Sequence, residues 1–198
     1  MRTIETLVYE FHELSETAQQ RAYEKSLDSF EMSWTSENSE SLAEFCREFP
    51  VTAKDWSYGN AASISSVIHY GEYEKEVWEL SGLRLRTWLL NNFHNVLYKG
   101  KYIHLPIQGR HVFKYSKAMI EESCCPFTGY CMDDTLMDPI WGFIRKPDNR
   151  TLEDILGECL WSWVQACQKD YEWQTSFDAF KEDCEANKWE FTEDGEMI

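Results

Sequence analysis

The chain has 198 residues, 30 of them aromatic, and a formal net charge of -16. Its length fits one domain and its aromatic content argues against intrinsic disorder, so we predict a single folded domain over residues 1–198. No apolar run approaches the ~18 residues that cross a bilayer and no signal peptide is visible, so we predict neither a membrane partner nor secretion.

The first seventy residues predict a strand, two helices and a β-hairpin, in that order. One helical face repeats apolar residues at i, i+3, i+4 and i+7, and Pro50 ends that helix. The predicted elements are a strand over Thr3–Phe11, a helix capped by Ser15, a polar loop from Ser33 to Ser39, a helix through Leu42 and Phe49, and hairpin strands Val51–Tyr58 and Ile64–Tyr70.

The rest of the chain predicts four more helices and a short closing strand. The predicted elements are a central helix over Glu79–Tyr98, two short strands or an extended loop over Lys101–Tyr115, helices over Asp133–Ile144, from a Thr151/Asp154 capping box and from Ser176, a left-handed cap at Asn187, a strand through Trp189 and Phe191, and a turn at Gly195. Helices and strands mix without a βαβ rhythm. We therefore predict an α+β fold, with several helices packed on a small, mainly antiparallel sheet.

The cleanest helical faces identify the candidate core. Its predicted members are Leu85, Trp88, Leu89, Phe93, Leu156, Cys159, Trp163 and Cys167. The long helix after Thr151 carries Leu160, Trp161 and Val164 beside this face. We therefore expect that helix to be buried on more than one side.

Seven cysteines without a secretory signal predict reduced thiols in a cytosol. The segment with Cys124, Cys125 and Cys131 could supply zinc ligands, completed by His104 or His111. Five residues separate Cys125 from Cys131, which is wider than usual zinc spacing, so a buried tight turn is the favoured interpretation. A zinc-stabilised module or metal-dependent enzyme built on this segment is the alternative hypothesis.

Asp133 and Asp134, with Asp138 nearby, could hold a divalent cation. The favoured interpretation is that acids in a first helical turn stabilise the helix dipole and stay solvated. No nucleophile, phosphate-binding or metalloprotease motif is present, and the five histidines are scattered. The sequence therefore favours a protein that is not an enzyme and needs no cofactor.

A basic, aromatic stretch lies between the two acidic parts of the chain. Its basic residues are Lys99, Lys101, Arg110, Lys114 and Lys117. Such a stretch could bind single-stranded nucleic acid. The charge of -16 argues against direct nucleic-acid binding, so we favour an internal partnership with the acidic C-terminal third.

Residues 121–198 carry 19 acidic and 6 basic side chains. These acids either keep an aromatic-rich protein soluble or imitate nucleic-acid phosphates for a partner with a basic groove. The candidate protein-binding residues are Glu153, Asp154, Glu158, Asp170, Glu172, Asp178, Glu182 and Asp183, with Glu185, Glu190, Glu193 and Asp194 in the same third.

Five segments over nearly the whole chain form a distinctive set. They are Tyr9–Glu16 with Ala18 and Ala22; Ser41-Leu42, Phe45 and Phe49–Val51 with Asp55–Gly59; Leu80–Leu85; Cys125–Cys131 through Asp138–Ile140; and Asn187 with Glu190–Gly195. The set resembles a family of small uncharacterised proteins encoded by bacteriophages and prophages, some labelled antitoxin-like. The resemblance implies a host bacterial cytoplasm, and by analogy a protein that inhibits or titrates a basic host protein, such as an anti-phage defence protein.

Overall fold

A computed structural model describes residues 7–97, 101–107, 110–116 and 125–198. At residues 94, 95, 101–107 and 110–116 it describes the backbone only. The helices are α1 (Glu16–Asp28), α2 (Thr35–Glu48), α3 (Lys75–Trp78), α4 (Gly82–Asn92), α5 (His94–Leu97), α6 (Met132–Arg145), α7 (Leu152–Gln174) and α8 (Phe177–Asn187). Short 3-10 turns lie at Phe11–Glu13 and Tyr70–Glu72.

The strands of the described chain form antiparallel pairs. They are β1 (Tyr9–Glu10) with β6 (Glu190–Phe191), β2 (Val51–Ser57) with β3 (Ser63–Ile68), and β4 (Lys101–Ile107) with β5 (Arg110–Ser116). The α+β prediction is confirmed, and so are the hairpin of β2 with β3 and the strand alternative for Lys101–Tyr115. The β-structure is divided among separate two-stranded sheets.

The chain divides into two compact units. The terminal unit comprises Met1–Ser33 and Gln168–Ile198, and the central unit comprises Trp34–Cys167. Helix α7 contributes residues to both, because the boundary falls inside it. The single domain over residues 1–198 stays a prediction.

The terminal unit has a small aromatic core. Its buried members are Phe11, Leu14, Ala18, Ala22, Phe180, Cys184 and Phe191. The Phe11 ring packs edge-on against Phe180, with centroids 5.4 Å apart, and lies 5.8 Å from Phe191. Phe11 thus joins the N-terminal segment to α8 and β6.

The C-terminal segment of this unit packs directly on α1. Gly195 has a left-handed backbone (φ +84°), and a Cβ there would lie 2.2 Å from the Ala18 carbonyl oxygen. Only glycine permits this approach, so the turn predicted at Gly195 has a packing role as well as a conformational one. Ion pairs from Arg21 to Asp194 (3.7 Å) and from Lys25 to Glu196 (2.9 Å) flank the contact.

Three predicted helix starts are confirmed by their hydrogen bonds. Ser15 Oγ accepts from the Ala18 N–H, and Ser176 Oγ accepts from the Ala179 N–H. The Thr151/Asp154 box is reciprocal, because the Thr151 N–H donates to the Asp154 carboxylate and the Asp154 N–H donates to Thr151 Oγ1. Each bond satisfies an N–H that the helix itself leaves unpaired.

The central unit has the larger core. Its fully buried side chains include Phe45, Val51, Leu85, Leu89, Leu136, Ile140, Phe143, Ile155, Leu156, Cys159, Trp163 and Cys167. The predicted core is confirmed except for Trp88, which is half-buried. Trp163 is fully buried, donates its indole N–H to the Asn38 carbonyl (3.0 Å) and meets the Trp56 ring edge-on.

The loop predicted from Ser33 to Ser39 is wrong beyond Trp34, because α2 begins at Thr35. Trp34 has a left-handed backbone (φ 67°), and the Trp163 indole bonds to the first turn of α2 at Asn38. The polar composition of Ser36, Asn38 and Ser39 suggested a loop. Tertiary contact here outweighs low intrinsic helix propensity.

Four further expectations need correction. The strand expected over Thr3–Phe11 is limited, within the described residues, to Tyr9–Glu10, and the central helix is interrupted at Phe93. The left-handed cap falls on Lys188, one residue after the helical Asn187. Of the residues expected to widen the buried face of α7, Leu160 and Val164 are buried, whereas Trp161 is 49% exposed. The break at Phe93 lies inside the predicted helix. The other errors lie at an element end or on a helix face that flanks the core, where periodicity carries the least information.

Candidate protein-binding surface

The eight acids predicted from the sequence are distributed over both units. Glu153, Asp154 and Glu158 belong to the central unit, and Asp170, Glu172, Asp178, Glu182 and Asp183 belong to the terminal unit. Seven of them are exposed and Asp170 is half-buried. The hydrogen-bond and ion-pair partners of each acid show which acids stabilise the fold and which are free of such contacts.

The three acids of the central unit all have partners within it. Asp154 caps α7, and its hydrogen bonds with Thr151 hold its pKa below the usual range. Glu158 pairs with Arg150, and Glu153 accepts a hydrogen bond from the Tyr70 hydroxyl. Arg150 also pairs with Asp148, at 2.9 Å. These carboxylates are therefore already engaged in the fold.

The acids of the terminal unit fall into two groups. On α7, Asp170 accepts from Gln174 Nε2 (2.9 Å) and Glu172 accepts from Gln168 Nε2 (2.8 Å). On α8, Asp178, Glu182 and Asp183 are exposed and form no side-chain hydrogen bond or ion pair within the described chain.

Helix α8 presents these acids on its solvent side. Asp178, Glu182 and Glu185 follow at i, i+4 and i+7, on the side of the helix opposite the buried Phe180 and Cys184. Asp183 is also exposed but lies about 100° further round the helix than Glu182. We call Asp178, Glu182 and Glu185, together with the neighbouring Asp183, the α8 acidic face. Lys181 is the basic residue within α8, and its ammonium lies 3.9 Å from the Glu185 carboxylate.

The negative charge of the chain is concentrated in the terminal unit. Its 64 residues carry 17 acidic and 6 basic side chains, a formal charge of -11, whereas the 134 residues of the central unit carry -5. Within the terminal unit, Arg21 and Lys25 already pair with Asp194 and Glu196. Most of the other acids of this unit form no ion pair with a basic side chain among the residues that the structure describes.

The segment from Cys125 to Cys131 folds around the carboxylate of Asp133. Asp133 accepts the backbone N–H of Phe127 (2.9 Å), Thr128 (2.7 Å) and Gly129 (3.1 Å), and the Thr128 hydroxyl at 2.9 Å. Cys125 turns with a positive φ of 63°. The segment is thus a tight turn, but its residues are half-buried or exposed and the buried group is Asp133. We call this arrangement the Asp133 turn.

The expectation that Asp133 stays solvated is wrong, because its side chain is fully buried. Burial raises the pKa of Asp133, and hydrogen bonds from Ser41, Thr128 and Phe127 lower it by more, so the net pKa lies below the usual range. Asp134, the neighbouring acid, is exposed as expected. A carboxylate with this many donors stays ionised and organises the turn.

The zinc hypothesis stays a prediction. Cys125 is half-buried and Cys131 exposed, while Cys124 and the side chains of His104 and His111 lie outside the described residues. Among the side chains that are described, no three His, Cys, Asp or Glu come together as metal ligands do. Elemental analysis of the purified protein, with stability measured before and after chelation, tests the hypothesis.

The basic stretch forms the hairpin of β4 with β5, in which Lys101 lies opposite Ser116 and Ile107 opposite Arg110. Its side chains, with Lys99 and Lys117, lie outside the described residues, so the proposed partnership with the acidic third stays a prediction. None of the described helices is both long and apolar enough for a membrane span.

Tyr73 and Trp78 lie at a further possible site that was not predicted from the sequence. Both line an open cleft with Tyr70, within a segment that has neither helical nor strand periodicity. The sequence feature that could have indicated this cleft is the placing of three aromatic residues among the four glutamates of residues 70–79.

No family model matches the chain, and neither a curated protein nor a solved structure shows significant similarity to it.

Proposed function

We propose that this is a non-enzymatic acidic binding protein whose terminal unit attaches to a basic surface of a protein partner. The observation that carries the proposal is the α8 acidic face, where Asp178, Glu182 and Asp183 have no internal ion-pair partner within the described residues. Such carboxylates are available to Lys and Arg side chains of another protein, which they bind through charge-assisted hydrogen bonds.

The charge spacing on α8 supports the nucleic-acid mimicry form of this proposal. At a rise of 1.5 Å per residue, the three acids that share one side of α8, from Asp178 to Glu185, span roughly 10 Å, or about one charge per 5 Å. One strand of duplex DNA carries about one charge per 3.4 Å of axis. A groove built for a phosphate strand would therefore meet a row of carboxylates on α8 that is somewhat more widely spaced than phosphates.

The biological setting of the proposal follows from the sequence resemblance. In a bacterial cytoplasm during phage infection or lysogeny, an acidic protein that occupies a basic groove would inhibit or titrate its host partner. Host proteins that bind nucleic acid carry such grooves, and we propose one of them as the partner.

A differential capture experiment tests the proposal. Wild-type protein and two triple variants are immobilised and exposed to bacterial lysate at low salt, where electrostatic association is strongest. One variant carries Asp178→Lys, Glu182→Lys and Asp183→Lys. The matched control carries Glu40→Lys, Glu48→Lys and Asp138→Lys, which makes the same charge change at exposed positions of the central unit.

We expect a partner that is retained by the wild type and the control, lost by the α8 variant, and displaced by added duplex DNA. Both variants should stay folded, because exposed substitutions usually change stability by less than about 0.5 kcal/mol. Equal loss in both variants would mean that only net charge matters. A partner retained by the α8 variant would contradict the proposal.

A further inference from the structure

The strongest unassigned feature of the central unit is an open cleft lined by Tyr70, Gly71, Tyr73, Lys75, Trp78 and Glu79. We call it the aromatic cleft. Its volume is about 640 Å³, within the range of sites that bind small molecules. A Cβ on Gly71 would have no atom within 4 Å, so nothing closes the cleft at this point.

Three aromatic rings line the cleft at steep mutual angles. The Tyr70 and Trp78 centroids lie 4.9 Å apart with planes inclined at 65°, and those of Tyr73 and Trp78 lie 6.2 Å apart at 51°. Trp88 supports Tyr73 from outside the lining, edge-on at 4.9 Å. An entering group therefore meets ring surfaces in more than one orientation.

The rings are held in place by the fold. Tyr73 and Trp78 are half-buried against the core of the central unit, and the Trp78 indole N–H donates to the Tyr70 carbonyl at 3.1 Å. Tyr70 is 51% exposed at the cleft rim. The site is thus preorganised on two anchored rings, with a third ring open to a ligand.

The surroundings of the cleft are strongly acidic. Residues 72–79 contain four glutamates and one lysine, and all five of these side chains are exposed. The lysine, Lys75, lies 3.8 Å from Glu79, so its charge is already partly balanced. Glu153 accepts a hydrogen bond from the Tyr70 hydroxyl, which raises the pKa of Tyr70. Burial, and then the charge of Glu72, raises the pKa of Tyr73.

We propose that the aromatic cleft binds an arginine side chain of a protein partner. Aromatic ring faces attract cations, and a guanidinium group lies flat on a ring while its N–H groups reach nearby carboxylates. Glu79 lines the cleft and would exchange its 3.8 Å contact with Lys75 for the guanidinium. The surrounding negative charge repels phosphate groups and therefore disfavours stacked nucleotides. This inference rests on the proposed function in one respect, namely that the partner is a basic protein.

A peptide titration tests the proposal without the natural partner. The full-length ¹⁵N-labelled protein is titrated with acetyl-Gly-Arg-Gly-amide and with its citrulline analogue, which has nearly the same shape but no charge. We expect the Trp78 indole N–H signal to shift saturably with the arginine peptide, and affinity to fall about tenfold for citrulline. Equal affinity for both peptides, or no saturable shift, would overturn the proposal.

Variants of Tyr70 identify the interaction. Tyr70→Leu removes an exposed ring and should weaken arginine-peptide binding about tenfold, whereas Tyr70→Phe keeps the ring and should stay within about twofold of the wild type. Trp161→Leu is the matched control, because Trp161 is a 49% exposed aromatic residue of the same unit and should leave binding unchanged. If Tyr70→Phe binds as weakly as Tyr70→Leu, the hydroxyl rather than the ring is responsible and the proposal fails.

Two further arms separate this proposal from its alternatives. A thymidine oligonucleotide that shifts the Trp78 signal, with loss in Tyr70→Leu, would make the cleft a base-stacking site and overturn the proposal. The α8 triple variant should bind the arginine peptide like the wild type, because none of its substituted residues lines the cleft. Loss of peptide binding in the cleft variants and loss of partner capture in the α8 variant therefore report on separate sites.

Discussion

The terminal and central units of this chain differ in how they use their residues. Among the residues that the structure describes, 22 belong to the buried core of the central unit and 7 to that of the terminal unit. The central unit has a formal charge of -5 and the terminal unit a charge of -11. The central unit is therefore stabilised mainly by apolar burial. The terminal unit carries much repulsive charge on a small core, and this self-repulsion lowers its stability.

The largest expected effect on stability comes from a substitution in the core of the central unit. Trp163→Ala should lower the free energy of unfolding by about 3–5 kcal/mol, because it removes a fully buried ring and leaves the Asn38 carbonyl without its donor. Trp161→Ala, two residues earlier on α7, is the control and should change stability by less than about 0.5 kcal/mol. Similar losses in urea unfolding of both variants would refute the burial assignment.

The Asp133 turn should be the next most sensitive part of the central unit. Asp133→Asn replaces a carboxylate that accepts four hydrogen bonds, and we expect a loss of about 3 kcal/mol, because bonds to a charged acceptor are strong and the site is buried. Asp134→Asn, at the exposed neighbour, should cost about 0.5 kcal/mol or less.

The pH dependence of the same pair gives a second measurement. The folded-state pKa of Asp133 lies below its unfolded value, so its stabilisation is complete above the unfolded pKa of about 3.9 and is lost as pH falls through the folded pKa. The stability difference between the wild type and Asp133→Asn should be constant above about pH 5 and shrink below about pH 4. A difference independent of pH in urea titrations would show that the charge of Asp133 is irrelevant.

In the terminal unit, the sharpest test is the contact of Gly195 with α1. Gly195→Ala should destabilise this unit by about 1–3 kcal/mol, because the new methyl group meets the Ala18 carbonyl oxygen. Gly157→Ala, in α7 with no atom near the added methyl, should be neutral or stabilising by about 0.5–1 kcal/mol. Amide exchange in α1 and β6 gives the measurement, and unchanged protection there would contradict the close approach.

The smallest expected effect is that of salt concentration on the stability of the terminal unit. Self-repulsion among the terminal unit's acids is screened by added salt, so raising NaCl from about 0.02 M to about 0.5 M should stabilise this unit by several tenths of a kcal/mol. The central unit should respond less. Residue-resolved hydrogen exchange separates the two, and equal gains in α1 and α4 would remove the electrostatic distinction between the units.

Local sequence signals predicted the elements of this fold better than they predicted its long-range contacts. Ser15, Ser176 and the Thr151/Asp154 box act within a single turn, so their pattern sufficed. The first turn of α2 was missed because its support comes from Trp163, 125 residues away at Asn38. Such contacts leave no periodic mark in the sequence.

For the candidate site, the sequence predicted only a region of acidic composition and not the arrangement of its side chains. The sequence identified an acidic C-terminal third, but the partners of Glu153, Asp154 and Glu158 depend on tertiary structure. Only the helical spacing of Asp178 and Glu182 could have selected α8 from the pattern alone. The aromatic cleft lies in a segment of two short helical turns with no clear periodicity in the sequence, and its ring geometry is a product of packing.

The association rate of the captured partner tests the central claim most directly. Stopped-flow measurements at several salt concentrations would compare the wild type, the α8 triple variant and the matched control of the central unit. We predict that the α8 variant alone binds more slowly and shows a flatter salt dependence, since charges at an interface rim act mainly on the association rate. An unchanged rate and salt slope in the α8 variant would show that these acids only keep the protein soluble.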